Sequence, residues 1–324
     1  MSLLGPLVAP VVRKEKKGKR KYDVIIVGAG VAGLTAAIYA ARYKLDTIIL
    51  TKDIGGATAT AGIIENYPGF IEIEGEALVN KFVQHVKYYD VDIYIEEVID
   101  IQKKDDMVIV KTFSGEWETK AVILTLGAER VKLGVPGEKE FFGRGVSYCA
   151  TCDAPLFKGK IVAVVGGGDT AVKEALHLVD YAEKVYLIHR RDQFRAEPIY
   201  VDRIKSNLKI ELVLKHTIKE LRGHNKLEEI ILDDDTILKV DGLFVAIGIK
   251  PPKEFFQKIG IKTDDEGYVV VGPDQSTNIP GIFAAGDCTT ASNKLRQIVT
   301  AAAEGAIAAD SAFHYITKKF ADRS

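Results

Sequence analysis

One pattern occurs twice in this chain and leaves little freedom of fold. Tyr22-Asp-Val-Ile-Ile-Val-Gly28-Ala-Gly30-Val-Ala-Gly33 runs into an Ala-rich stretch ending at Arg42. Lys160-Ile-Val-Ala-Val-Val-Gly166-Gly-Gly168-Asp169-Thr170-Ala171 runs into an amphipathic stretch ending at Leu178. Each is an apolar β-branched run, a glycine-rich turn and a helical pattern. Each is succeeded by a second apolar run, Asp46–Leu50 and Lys184–Ile188. Strand, helix and strand in that order form a βαβ unit, the phosphate-binding half of a dinucleotide fold. The glycines have separate tasks. Gly28 and Gly166 permit the tight turn, and Gly30 and Gly168 let the backbone approach a pyrophosphate. Gly33, with Ala171 in its place in the second copy, permits close helix–strand packing. The pyrophosphate then faces the free N–H groups and positive dipole end of the helix, next to Asp169 and Thr170. A lone motif of this kind is weak evidence. Two copies, each between strand and helix, predict an α/β chain with two Rossmann-like dinucleotide-binding domains.

The residues just beyond each second strand separate the two nucleotides. Counting 23 residues from the first glycine reaches Thr51 in one copy and His189 in the other. An NAD-type site carries an acidic residue in this region for the ribose hydroxyls; neither copy has one. The second copy instead reads His189-Arg190-Arg191-Asp-Gln-Phe-Arg195. Three guanidinium groups at a ribose edge suit a 2′-phosphate, which arginine binds in bidentate fashion. The second copy is therefore expected to bind NADPH, a solvated basic loop being the alternative. The first copy is paired with Thr277-Asn-Ile-Pro-Gly-Ile-Phe-Ala-Ala-Gly286-Asp287 and Arg296-Gln297, which points to FAD. The FAD-binding domain is expected over 22–126 and again over 260–324, with the NADPH-binding domain inserted over 127–259. The two crossings, Ala121–Gly127 and Leu243–Gly248, are apolar strands ending in glycine, where a hinge fits; Gly248 is also counted with the cofactor-binding residues.

Redox chemistry is suggested by Ser147-Tyr-Cys149-Ala-Thr-Cys152-Asp153-Ala-Pro155. Two intervening residues place both sulfurs within disulfide reach if the segment starts a helix, and a helix N-terminus favours the thiolate. Asp153 is positioned by sequence to donate a proton to a leaving thiolate and recover it. Half of a zinc site is the structural alternative, but it needs two further ligands. The one other cysteine is Cys288, and no His pair has ligand spacing, so no metal site is expected. Cys288 reads as a small apolar filler beside Asp287. His85 and His216 read as surface or packing residues.

Three cysteines do not make a secreted disulfide framework, and a CxxC without an export signal reads as cytoplasmic redox chemistry. A net charge of −1 gives no general attraction to nucleic acid, and no apolar run approaches the ~18–20 residues that cross a bilayer. Residues 1–21, apolar first and basic second, reverse the order of a signal peptide and read as a disordered basic extension.

Taken with Glu65-Asn66-Tyr-Pro68-Gly69, these motifs resemble the low-molecular-weight thioredoxin reductases of bacteria and archaea, from about Tyr22 to Phe313. The Cys-Ala-Thr-Cys-Asp and His-Arg-Arg-x-x-x-Arg stretches carry the resemblance most specifically. It implies that NADPH reduces FAD, that FAD reduces the Cys149–Cys152 disulfide through Cys152, and that Cys149 attacks oxidised thioredoxin. It assigns Asp153 as acid–base, and Gly55, Gly56 and Asn66 to the flavin. It also implies a homodimer. A flavin disulfide reductase serving another partner, or an NAD(P)H oxidase, shares every motif here. The glutathione-reductase type carries cysteines after a Gly-Gly pair, whereas this chain has Gly55-Gly-Ala-Thr-Ala-Thr-Ala61. Two departures stand out: Ala57 where many members have Gln, and Ala154-Pro155 where many have Gly after the Cys-Asp. Because cysteines and NADPH share the inserted domain yet both must reach one flavin, that domain is expected to rotate about the Gly-ending crossings.

Overall fold

The computed structural model describes residues 20–320. In chain order the outgoing part of the first unit contains β1 (Lys21–Ala29), α1 (Val31–Arg42), β2 (Thr47–Ile54), α2 (Gly75–Tyr88), β3 (Asp92–Ile95), β4 (Val98–Lys104), β5 (Met107–Thr112) and β6 (Gly115–Leu124). The inserted unit contains β7 (Val146–Ser147), α3 (Ala150–Asp153), β8 (Ile161–Val165), α4 (Asp169–Leu178), β9 (Lys184–His189), β10 (Ile210–Leu214) and β11 (Gly242–Val245). The chain then returns through β12 (Ile282–Ala284) and α5 (Ile298–Phe320).

The internal repeat is visible as topology. The first sheet runs β3-β2-β1-β6, with β12 parallel to the end of β6 and the antiparallel β5 and β4 beyond its start. The second runs β10-β9-β8-β11-β7, all parallel. Both are mixed α/β layers built on the strand–turn–helix units read from the sequence. The reason lies in the strands. A parallel sheet covered on both faces needs apolar residues at every position. Val24 and Ile26 point into one core with Leu34, Val79 and Ala308, while Ile25 and Val27 point into another with Trp117, Phe256 and Val269. In the second unit Val162 and Val164 pack with Val172, Leu178 and Phe157, and Ala163 and Val165 with Ile218, Leu221 and Ile230.

Contacts divide the described chain into one unit that runs to Ala128 and resumes at Lys250, and another over Glu129–Ile249. The return crossing thus comes at 249/250 rather than 259/260. Phe256, Ile259 and Ile261 decide this, since all three are buried in the core that contains Trp117. The basic extension expected over 1–21 lies almost wholly outside the described residues. Its last residue corrects its boundary: Lys21 opens β1 and pairs with Glu118 at 2.7 Å. Among the described residues no helix is long and apolar enough to cross a membrane.

In the first unit α5 crosses α1 closely enough that a Cβ at Gly305 would strike the carbonyl of Ala32. A backbone atom cannot move aside as a side-chain tip can. Gly305→Ala is therefore expected to lower stability by about 1–3 kcal/mol, the usual cost of overpacking. Thermal unfolding checks this, and an unchanged midpoint would contradict the packing described.

Candidate active site

Cys149 and Cys152 are joined as a disulfide, with Cα atoms 5.4 Å apart. Cys149 is the N-cap of the one-turn helix α3, and its Sγ accepts the Cys152 N–H at 3.2 Å. Negative charge developing on that sulfur would face the free N–H end of the turn, which favours thiolate over thiol. Cys152 is exposed and Cys149 half-buried. Ser147, at the end of β7, holds the start of the turn in two ways. Its hydroxyl accepts the Cys149 N–H at 3.0 Å and donates to Asp153 Oδ2 at 2.6 Å. The acid expected to move protons is therefore oriented by a serine whose role the motif did not reveal.

Cys288 is fully buried, with its Sγ beside the carbonyls of Ala285 and Leu124. Burial pushes its thiol up to about 12. It is the one free cysteine, and at ordinary pH it stays protonated and out of reach.

In the first unit the glycines fall into two geometric classes. Gly28 has φ +110°, and a Cβ there would strike the carbonyl of Thr125; one at Gly33 would strike the carbonyl of Gly28. At Gly30 a Cβ would meet no protein atom within 4 Å. The turn is thus closed toward the fold and open toward its outer side, where a diphosphate would lie. Thr51, in the place of the missing acid, serves this turn instead: its Oγ1 accepts the Ala29 N–H at 3.1 Å. Gly55 donates its N–H to Ala29 O at 2.8 Å, and Gly56 lies against Gly30. Asn66 donates to Gln297 Oε1 at 3.0 Å, so residues far apart in sequence meet.

On the same unit, Gly286 has φ +81° and sits over Ala32 of α1, its N–H held by Glu304 Oε2 at 2.7 Å. Gly286, Asp287, Arg296 and Glu304 line one depression. Burial raises the Asp287 carboxyl; Arg296 opposes this and Glu304 adds to it. Arg296 stacks over Tyr268 at 4.1 Å, and its buried Nε finds no acceptor among the described residues. An unsatisfied guanidinium N–H, an acid able to accept a hydroxyl and an open glycine turn fit a bulky group with sugar hydroxyls and acceptor oxygens, as a flavin nucleotide has.

The second unit repeats the arrangement. Gly166 has φ +153°, and a Cβ there would strike Ala246 O and Ala171; at Gly168 a Cβ would meet nothing within 4 Å. Gly248 is open in the same way and has φ +128°. The basic turn is tied to the glycine turn: Arg195 donates its N–H to Gly167 O at 2.7 Å, and the His189 ring lies against Gly167 and stacks on Phe194. Burial lowers the His189 pKa, and the three arginines lower it further. Arg190, Arg191 and Arg195 are exposed, and among the described residues none is paired with a carboxylate. Asp169 has a structural task, accepting the Glu197 N–H at 2.7 Å, while Thr170 is exposed beside it. His216 is half-buried and pairs with exposed Asp233 at 3.0 Å.

Comparison with known proteins agrees with this geometry. The family model for pyridine nucleotide-disulphide oxidoreductases matches residues 22–305. A thioredoxin reductase of Bacillus subtilis is 43% identical over 91% of this chain and 95% of its own length. The thioredoxin reductase structure from Lactococcus lactis, described as the FR conformation, superposes with a TM-score of 0.88 at 36% identity, covering 92% of this chain and 99% of its own. That from T. acidophilum gives 0.86 at 37%, covering 91% and 99%. Paired nucleotide-type turns, a CxxC disulfide capping a helical turn, and likeness over nine-tenths of the chain lead to one assignment: this chain belongs to the pyridine nucleotide-disulphide oxidoreductases, and among them to the thioredoxin reductases.

Proposed function

We propose that the chain carries FAD on its first unit and NADPH on its second, and passes two electrons through Cys149–Cys152 to the disulfide of a thioredoxin. The observation that carries this reading is the disulfide itself. It caps a helical turn beside an oriented Asp153, in the same unit as the arginine-flanked glycine turn.

Gly28, Gly30, Gly33, Gly55, Gly56, Asn66, Gly286, Asp287, Arg296 and Gln297 would hold the flavin, which supplies a two-electron carrier between the nicotinamide and the disulfide. Gly166, Gly168, Asp169, Thr170, His189, Gly248 and the three arginines would hold NADPH. Opening the disulfide consumes two electrons and two protons and yields the Cys149 and Cys152 thiols. Cys152 takes the electrons, and Asp153 supplies a proton to the leaving sulfur. In the return step the Cys149 thiolate attacks the thioredoxin disulfide, Cys152 then attacks the mixed disulfide, and Asp153 protonates the departing thioredoxin thiolate. The starting disulfide is restored and thioredoxin leaves as a dithiol. The working form is a homodimer, in line with the prevalence of two-fold assemblies.

Because the inserted unit holds both the cysteines and the NADPH site, it turns about the glycine-ending crossings, Gly127 (φ +61°) and Gly248 (φ +128°), to bring each to the one flavin. A rigid covalent tether between the two units is expected to permit one half-reaction and abolish steady-state turnover. Undiminished multiple turnover in the tethered protein would refute the rotation.

Anaerobic titration with NADPH tests the reading as a whole. Flavin absorbance should bleach, and alkylation should appear at Cys149 and Cys152 while Cys288 stays unmodified. Bleaching without new thiols would remove the disulfide from the electron path.

A further inference from the structure

Glu138 opens a one-turn helix, Glu138–Phe141, and is 4% exposed. A buried carboxylate needs hydrogen-bond donors, and three reach this one. Its Oε1 accepts the Leu133 N–H at 2.7 Å and the Tyr148 hydroxyl at 2.6 Å, and its Oε2 accepts the Gly134 N–H at 2.8 Å. Two of these donors are backbone of the segment that enters the inserted unit. That segment is fixed just upstream, where Val131 donates its N–H to Gly248 O at 2.9 Å. The third donor belongs to the residue directly before Cys149. Burial pushes the Tyr148 hydroxyl up, and Glu138 pushes it further through its hydrogen bond and its charge, so the hydroxyl remains a donor at ordinary pH.

Tyr148 joins a strand to the redox turn. Ser147 ends β7, and Cys149 caps α3 with extended backbone, φ −142° and ψ 98°. The two residues before the cysteine are tied in different directions. Ser147 is bonded to the Cys149 N–H and to Asp153, within the turn itself. Tyr148 is bonded to Glu138, outside the turn, and packs against the core that holds Phe141, Leu221 and Leu243. In the oxidised protein the S–S bond also ties Cys149 to Cys152. Once that bond opens, α3 is a single helical turn, with too few hydrogen bonds to hold itself. The position of Cys149 then depends on the chain that leads into it, and Tyr148 is the link of that chain anchored from outside the turn.

We propose that Glu138 and Tyr148 are a pair of positioning residues for disulfide exchange: the buried Glu138 carboxylate grips the Tyr148 hydroxyl and, through it, keeps Cys149 where its sulfur can attack a partner disulfide after the S–S bond opens. This rests on the proposed thioredoxin-reducing function.

The full-length flavin-loaded protein tests it in two reactions. Steady-state reduction of ferricyanide draws electrons from the flavin without the thiols. Single-turnover oxidation of the pre-reduced protein by a thioredoxin disulfide reads the exchange alone. Tyr148→Phe keeps the ring and its packing and deletes only the hydroxyl. At saturating thioredoxin its exchange should slow about 10-fold, the size of one lost hydrogen bond to a charged group, with the ferricyanide rate unchanged. Glu138→Gln, which sets an NH2 group among donors, should slow exchange as well. The double variant should be no slower than Glu138→Gln alone, because both substitutions act through one bond. Exchange slowed less than about threefold, the low end for a lost hydrogen bond, would overturn the proposal. So would an equal fall in both reactions, slowing seen only below saturation, or a double variant slowed by the product of the two single effects. If Glu138→Gln fails to accumulate, Tyr148→Phe decides alone. A wild-type chain that reduces ferricyanide but no disulfide would defeat the functional reading itself, separately from this pair.

Discussion

Cys149→Ser and Cys152→Ser should each abolish disulfide reduction while leaving the flavin bound. The expected loss is at least about 10⁴-fold, the order seen when a covalent nucleophile is removed. Either serine leaves a single thiol, which can form a mixed disulfide but cannot resolve it, so turnover stops even where the first attack succeeds. The third cysteine cannot substitute. Cys288 is fully buried, and burial holds its thiol at about 12. Flavin retention is expected because the cysteines lie in the second unit and the proposed flavin residues in the first. Absorbance of the purified variants, beside their rates with a protein disulfide, checks both halves. Loss of flavin from either variant, or residual activity above about one part in 10³, would break the account.

Arg190→Ala together with Arg191→Ala should remove the preference for NADPH over NADH. Charge-assisted hydrogen bonds are worth about 1.5–3 kcal/mol each, so losing two should cost about 10²- to 10⁴-fold in discrimination. Both guanidinium groups are exposed, and among the described residues neither is engaged by a carboxylate, so the substitutions should leave the fold intact. The loss should appear in kcat/KM for NADPH and leave that for NADH nearly unchanged, since NADH has no phosphate to lose. Unchanged preference would reduce these residues to a solvated basic surface.

Much of the fold was legible in the sequence for a physical reason. A parallel sheet buried on both faces forces continuous apolar runs such as Val24–Val27 and Val162–Val165. A turn that packs backbone on backbone forces glycine at Gly28, Gly33 and Gly166. Local patterns were harder to read where the deciding partner is distant. The second domain boundary depends on which core takes Phe256 and Ile259, and nothing between Lys250 and Gly260 shows that. Asp169 sits in the glycine turn, yet its carboxylate serves Glu197, a pairing set by the path of the arginine loop. Ser147 supports the redox turn through its hydroxyl, a role the Cys-x-x-Cys-Asp pattern does not disclose. Thr51 was noticed as the absence of an acid, and the structure supplies its positive role as a brace for the Ala29 N–H.

The most direct test of the central claim is NADPH oxidation by the purified protein, measured with and without an oxidised thioredoxin from the same organism. Strong dependence on thioredoxin, lost in Cys149→Ser, is the expected result. Oxidation that proceeds equally well without thioredoxin would contradict it, and would move the electrons' destination from the Cys149–Cys152 pair to dioxygen or another acceptor.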